Sequence, residues 1–145
     1  MSDSCIFCRI AAREIPAAIV YEDEHSLAFL DIDPLFPGHT LLIPKQHSET
    51  ILELPPDNVG PLFRNAQLLT RAVEGALEAE GSFVGINNRI SQSVPHLHIH
   101  VVPRRKKDGL RGFFWPRRKY NGDEHLAETA EAIRRKLAEL TAAAP

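Results

Sequence analysis

The sequence predicts an α+β fold: a mainly antiparallel sheet of about five strands with one long helix, a short amino-terminal helix and a carboxy-terminal helix. Three observations lead there. Only one long stretch with helical apolar spacing (Leu62, Ala66, Leu69, Val73, Leu77) separates strand-like segments that otherwise follow each other through short turns. This disfavours a doubly wound parallel sheet, whose strands alternate with helices. The length of 145 residues suits a single domain over 1–145 with one core. A hydrophobic fraction of 43% and a charged fraction of 25% are ordinary for a soluble globular chain.

Taken in order, Ser4 is placed to cap a short helix reaching about Glu14, with Ile6, Phe7 and Ile10 on one side and Pro16 as its stop. Ala18 to Glu22 and Ser26 to Ile32 read as two strands around the turn Asp23-Glu24-His25. Pro34, Pro37 and Gly38 make a loop, and His39 to Ile43 is a third strand ended by Pro44. Pro55-Pro56-Asp57 opens the long helix and Gly81 closes it. Ser82 to Asn87 is a fourth strand, and a loop from Asn88 to Val94 leads to a fifth, His96 to Val102. A basic, aromatic loop at about 103–122 follows. Asp123 then caps a helix over about 123–141 whose Leu126, Ala130, Ile133, Leu137 and Leu140 are expected to face the core.

Charge is unevenly spread. Between Arg104 and Tyr120 stand eight basic residues against Asp108 alone, while the whole chain is at -2. Such a stretch fits either an anion-facing loop or a solvated, solubilising one. No apolar run nears the roughly 20 residues that cross a bilayer, and no signal-length apolar stretch follows the first residues. A cytoplasmic protein is expected, with no membrane and no nucleic acid as partner.

The chemistry concentrates in His96-Leu97-His98-Ile99-His100. In a strand alternate side chains share a face, so the three histidines line one exposed face about 7 Å apart while Leu97, Ile99 and Val101 pack behind them. Two readings fit. Histidines at i and i+2 can share a zinc ion. Alternatively a neutral imidazole, with one N–H held by an acceptor, attacks phosphorus through its other nitrogen. The preceding loop, Asn87 to Ser93, offers amide and hydroxyl donors suited to phosphate oxygens. The third ligand and carboxylate base of a catalytic zinc site are not close in sequence. Cys5 and Cys8 form a C-x-x-C pair, open to a metal half-site, a redox pair or two buried thiols. A tetrahedral zinc would need two ligands more, and His47 after the third strand is one candidate.

The run His96-Leu97-His98-Ile99-His100-Val101-Val102 resembles the signature of the histidine triad superfamily, and Gly38-His39-Thr40-Leu41-Leu42-Ile43-Pro44-Lys45 resembles its second hallmark. Cys5-Ile6-Phe7-Cys8, Glu14-Ile15-Pro16 and Phe29-Leu30-Asp31-Ile32 are similar to its amino-terminal half, in matching order. The resemblance implies nucleotidyl hydrolase or transferase chemistry on a purine nucleoside phosphate, in a homodimer. The substrate would be a nucleoside phosphoramidate or a dinucleoside polyphosphate. By this resemblance His98 is the nucleophile, His100 and His39 support the phosphate, and the carbonyl of His96 orients His98. Gln92 and Ser93 contact phosphate or leaving group, and Asn87 belongs to the nucleotide site. Asp31 accepts from both ribose hydroxyls, and Phe7, Ile15, Phe29 and Leu41 wall the base. Cys5, Cys8, His47 and His96 would hold a structural zinc. The basic loop departs from the compact family pattern. The alternatives are a zinc-dependent hydrolase that uses the histidine strand as ligands, and a nucleotide-binding module without turnover.

Overall fold

The computed structural model describes residues 4–110 and 117–143. The chain divides into two compact units, one ending at Asp108 and the other starting at Gly109. The first unit contains a helix α1 (Ile6–Ala11), strands β1 (Ile19–Glu22), β2 (Ser26–Leu30) and β3 (Thr40–Pro44), helix α2 (Pro56–Leu77) and strands β4 (Gly81–Ile86) and β5 (Ile99–Arg104). The second contains helix α3 (Asp123–Ala143). The strands form one five-stranded sheet in the order β1-β2-β3-β5-β4, and every neighbouring pair is antiparallel. The α+β class and the antiparallel sheet are as the sequence predicts.

Both faces of the sheet are covered. Alternation sends Ala28, Leu42, Leu97, Ile99 and Val101 to one face, under Leu62, Ala66, Leu69 and Val73 of α2. It sends Leu27, Phe29, Leu41 and Ile43 to the other, against Cys5, Phe7, Cys8 and Ile10 of the α1 segment. β2 and β3 therefore read as near-continuous apolar runs, because they are buried from both sides. The α2 layer gives the sheet its bulk, and the α1 layer leaves room for a site.

Several boundaries differ from the sequence reading. The first helix spans Ile6–Ala11, with Cys5 and not Ser4 at its N-cap, and no capping side chain. It ends well before Pro16, where Arg13 takes a left-handed φ of 64°. α2 ends through Glu78, left-handed at φ 50°, while Gly81 already pairs with Arg104 as the start of β4. The fifth strand was expected from His96 but is hydrogen-bonded only from Ile99. On one side its neighbour runs out: Ile99 faces Ile86, the last residue of β4, while on the other side the pairing with β3 stops at Leu42, two residues before that strand ends. Pro44 at the end of β3 also has no N–H to continue the ladder.

The largest correction concerns α3. None of its residues is buried, and Leu126, Ile133, Leu137 and Leu140 are exposed, instead of facing a core. The helical spacing predicted an amphipathic helix, and spacing alone does not say what covers the apolar stripe.

Candidate active site

The histidine row lies on the α1 face of the sheet, as its alternation requires. It is not an exposed face: His96 is 0% and His98 4% exposed, because α1 lies over them. Phe7 of α1 stands edge-on to His98, with ring centroids 5.2 Å apart, and edge-on to Phe29 at 5.3 Å.

Backbone carbonyls set the protonation of these rings. His98 donates Nδ1–H to the carbonyl of His96 at 2.7 Å. The proton thus sits on Nδ1, and Nε2 carries the lone pair. Among the described residues Nε2 of His98 has no hydrogen-bond partner. This is the arrangement a nucleophilic imidazole needs.

A second chain of bonds runs from a loop amide to the cleft. The Leu35 N–H donates to Nδ1 of His39 at 3.1 Å, so His39 carries its proton on Nε2 and donates it to Nδ1 of His100 at 2.9 Å. His100 must then carry its own proton on Nε2. That nitrogen is the one buried side-chain polar atom without a partner among the described residues. A buried donor left unmatched costs free energy, which an arriving phosphoryl oxygen would recover. Burial, then the neighbouring His98 and His39, push His100 down to about 4. Burial also holds His39 below the ordinary imidazole range, against the opposing pull of Asp31. The 3.8 Å approach of Asp31 to Nδ1 of His39 is accordingly not an ion pair, since that nitrogen accepts from Leu35.

Beside these rings opens a cleft of about 260 Å³. Phe7, Ile15, Phe29 and Leu41 line it. So do His98, His100, Ser93 and Asp31. Asp31 follows β2; its N–H is tied to the His39 carbonyl at 2.9 Å, and one carboxylate oxygen accepts from the Asp33 N–H at 2.9 Å. That bond holds the carboxylate at the strand end and leaves acceptor capacity on both oxygens.

Four predicted residues do not line the cleft: His39 and His96, which reach it through His100 and His98, and Asn87 and Gln92. Asn87 is exposed just beyond β4. Gln92 spends its amide on backbone, donating to the Glu49 carbonyl after β3 at 2.6 Å and accepting from the Arg89 N–H of its own loop at 2.8 Å. Sequence reasoning missed the wall residues Ile10, read only as one side of the first helix, and Val94, read only as the end of a loop. It also missed the Leu35 amide and the Pro44 carbonyl, which no side-chain motif can announce.

Two residues of the basic stretch are engaged elsewhere. Arg104 pairs with Asp108, and the guanidinium of Arg105 donates to the carbonyls of Leu77 and Glu78 at the end of α2. These two arginines tie the segment to itself and to the end of α2. Arg111 and the Phe113-Phe114-Trp115 run lie outside the described residues.

Behind the histidine row Cys5, Cys8, His47 and His96 converge, with one ligand atom from each within 4.8 Å of the others. Nδ1 of His96 lies 3.4 Å from Sγ of Cys5, 3.5 Å from Sγ of Cys8 and 3.2 Å from Nδ1 of His47, and Cys8 to His47 is 3.3 Å. Ideal tetrahedral zinc, from its bond lengths, sets S···N edges of about 3.6 Å and N···N edges of about 3.3 Å. Moreover, Nε2–H of His96 donates to the Pro44 carbonyl at 2.8 Å, which leaves the Nδ1 lone pair for a metal. The four side chains fit a metal ion.

A family model described as HIT domain matches residues 12–107. Protein hit of Bacillus subtilis is 39% identical over 139 residues, 94% of each chain. The adenosine 5′-monophosphoramidase HNT1 of Candida albicans is 33% identical over 94% of this chain and 93% of its own. A zinc-bound histidine triad family protein from Mycobacterium smegmatis superimposes with a TM-score of 0.70, at 38% identity, over 97% of this chain and 98% of that one. With its site laid out as above and its likeness running through nearly the whole length, the chain belongs to the HIT family, whose members include nucleotide hydrolases.

Proposed function

We propose that this chain is a nucleotidyl hydrolase that cleaves purine nucleoside phosphoramidates at the α-phosphorus, with His98 as nucleophile. The observation that carries the reading is the bond from Nδ1–H of His98 to the His96 carbonyl, which leaves the Nε2 lone pair available beside the cleft. The lone pair attacks phosphorus, the P–N bond to the leaving amine breaks, and the amine departs with a proton from water. Water then attacks the nucleotidyl-imidazole, releasing the nucleoside monophosphate and restoring Nε2. The His96 carbonyl stabilises the imidazolium charge through Nδ1–H, and the unmatched Nε2–H of His100 is offered to a phosphoryl oxygen. Asp31 accepts from the ribose hydroxyls, and Ser93 donates at the lip.

An amine leaving group is favoured over a polyphosphate. Among the described residues no lysine or arginine lines the cleft, nor the adjoining hollow formed by Ser4, Cys5, Ile6, His47, Glu49 and Ser93 to Pro95. A polyphosphate tail there would meet Glu49 and no countercharge. The name of the Candida relative supports the same choice. Zinc at the cysteine–histidine cluster belongs to this reading as a resident metal. Its four protein ligands complete a tetrahedral shell, the pattern of a closed structural site and not of one that activates water. A homodimer also belongs to it, on the family likeness.

Acid quench of the full chain during turnover of adenosine 5′-phosphoramidate tests the proposal. Mass spectrometry should show one adenylyl group on the peptide bearing His98. His98→Gln should lose it and lower kcat at least about a hundredfold. Normal turnover by that variant, or a diadenosine polyphosphate outpacing the phosphoramidate, would overturn the nucleophile or the substrate class respectively.

A further inference from the structure

His96 belongs to two constellations at once. Its ring is gripped at both nitrogens, Nε2–H by the Pro44 carbonyl and Nδ1 by contacts of 3.2–3.5 Å with Cys5, Cys8 and His47. Its carbonyl holds Nδ1–H of His98 at 2.7 Å. The sheet holds this residue only by its ring, through the Pro44 carbonyl at the end of β3, because its backbone lies outside the ladder and β5 begins three positions later, at Ile99. On the backbone, its N–H bonds only the local Val94 carbonyl at 2.8 Å, and the next anchor is the Leu97 N–H on the Ser48 carbonyl at 2.7 Å. A carbonyl outside the ladder thus decides which nitrogen of His98 is free, and its residue is tethered through its ring, by the Pro44 carbonyl on one nitrogen and the cluster on the other.

We propose that the cluster of Cys5, Cys8, His47 and His96 positions the nucleophile: by fixing His96 it holds the carbonyl that keeps the proton on Nδ1 of His98 and frees Nε2 for attack. The inference rests on the metal and nucleophile readings above and gives the metal site a part in turnover beyond stability. Cys5, Cys8 and His47 are positioning residues, since the geometry keeps them behind the rings that meet substrate. A purely structural cluster would change melting and leave the chemical step of the folded protein alone.

The test uses the full chain in two forms. One is wild type stripped of metal by chelator, below the temperature at which circular dichroism reports unfolding. The other is His47→Asn loaded with zinc, which keeps the other three ligands if the stripped protein does not stay folded. Four readouts are taken: zinc content, kcat and KM for adenosine 5′-phosphoramidate, Kd for adenosine monophosphate, and the proton resonance on Nδ1 of His98 in histidine-labelled protein. We expect kcat to fall about 10–100-fold, the size of effect seen when a partner of a metal ligand is lost. Affinity for the monophosphate should stay within about threefold, since its contacts lie elsewhere. The His98 Nδ1 resonance should shift or vanish. A folded protein of either form with wild-type kcat and an unmoved Nδ1 resonance overturns the proposal. So does a Kd that weakens in step with kcat, which would place the effect in the pocket wall at Phe7. Wild type that binds no zinc is instead a failure of the metal reading, and a His98→Gln variant that turns over is a failure of the nucleophile reading.

Discussion

His100 owes its protonation state to a loop amide two residues removed through space: Leu35 protonates neither ring, yet its N–H decides that His39 donates and His100 accepts. The neutral state has a pH consequence. His100 is held at about 4, chiefly by burial, against an ordinary value of 6.5. Between those values the unfolded chain takes up the proton and the fold resists it, so stability falls as pH drops from 6.5 through about 4. Urea midpoints measured across that window should decline, and the decline should be shallower in His100→Asn. An equal slope in both would remove His100 from the account. Asp31 offers a second test at this scale. Charge-assisted hydrogen bonds are worth about 1.5–3 kcal/mol, so Asp31→Asn should weaken adenosine monophosphate at least about tenfold. The 2′-deoxy nucleotide, which has already lost one hydroxyl, should suffer less; equal losses in titration calorimetry would mean that Asp31 does not read the ribose. The row His96, His98, His100 was legible in the sequence because a two-residue period depends on strand geometry alone. The place of Gln92 was not legible, because a polar loop side chain is as well satisfied by neighbouring backbone as by a ligand.

Among elements, the joints matter more than the interiors. Asn65 of α2 is buried and donates to Asp23 and to Ser26 Oγ, both at 2.7 Å, so it rivets the helix to the β1–β2 turn. Burial alone would push Asp23 up, but hydrogen bonds from Asn65 and from the Ser26 and His25 amides outweigh it and hold the carboxyl at about 2. Asn65→Ala should cost about 1–3 kcal/mol by denaturant titration, and nucleotide affinity should be unchanged. Gly38 is a joint of another kind. Its φ of +99° is left-handed, and a Cβ there would stand 2.1 Å from Cδ1 of Leu77 in α2. Gly38→Ala should therefore destabilise by about 1–3 kcal/mol and, because His39 follows directly, lower kcat as well. Full stability in that variant would show that Leu77 swings away and that the backbone relaxes. Pro and Gly marked the positions of these loops in the sequence, but not the ends of α2 and β5. A left-handed glutamate and an exhausted ladder partner leave no residue-type signal.

At the scale of the whole molecule, charge and coverage were the least legible features. Eight basic residues between Arg104 and Tyr120 look like an anion site when read along the chain. In three dimensions Arg105 stabilises the carboxyl end of α2, where a cation complements the helix dipole. Arg105→Ala should lower stability by roughly 1 kcal/mol or less and leave kcat/KM alike for phosphoramidate and polyphosphate substrates at low and high salt. A salt-dependent loss confined to the polyphosphate would restore the anion-facing reading. Likewise the apolar period of α3 was visible, whereas its exposure depends on neighbours that a period cannot name.

The strand order β1-β2-β3-β5-β4 carries a consequence for the birth of the protein. β5 is the last strand to be synthesised and takes its place between two that are already made. Until β5 emerges, β3 has one open edge and β4 has no partner at all, so the nascent chain carries a split sheet with unpaired amides on both lips. Closing it requires contacts far apart in sequence, which come late in folding. Pulse-labelled amides of Leu27 to Leu30 should gain protection before those of Val84 to Ile86, and a chain halted before Ile99 should be a chaperone client.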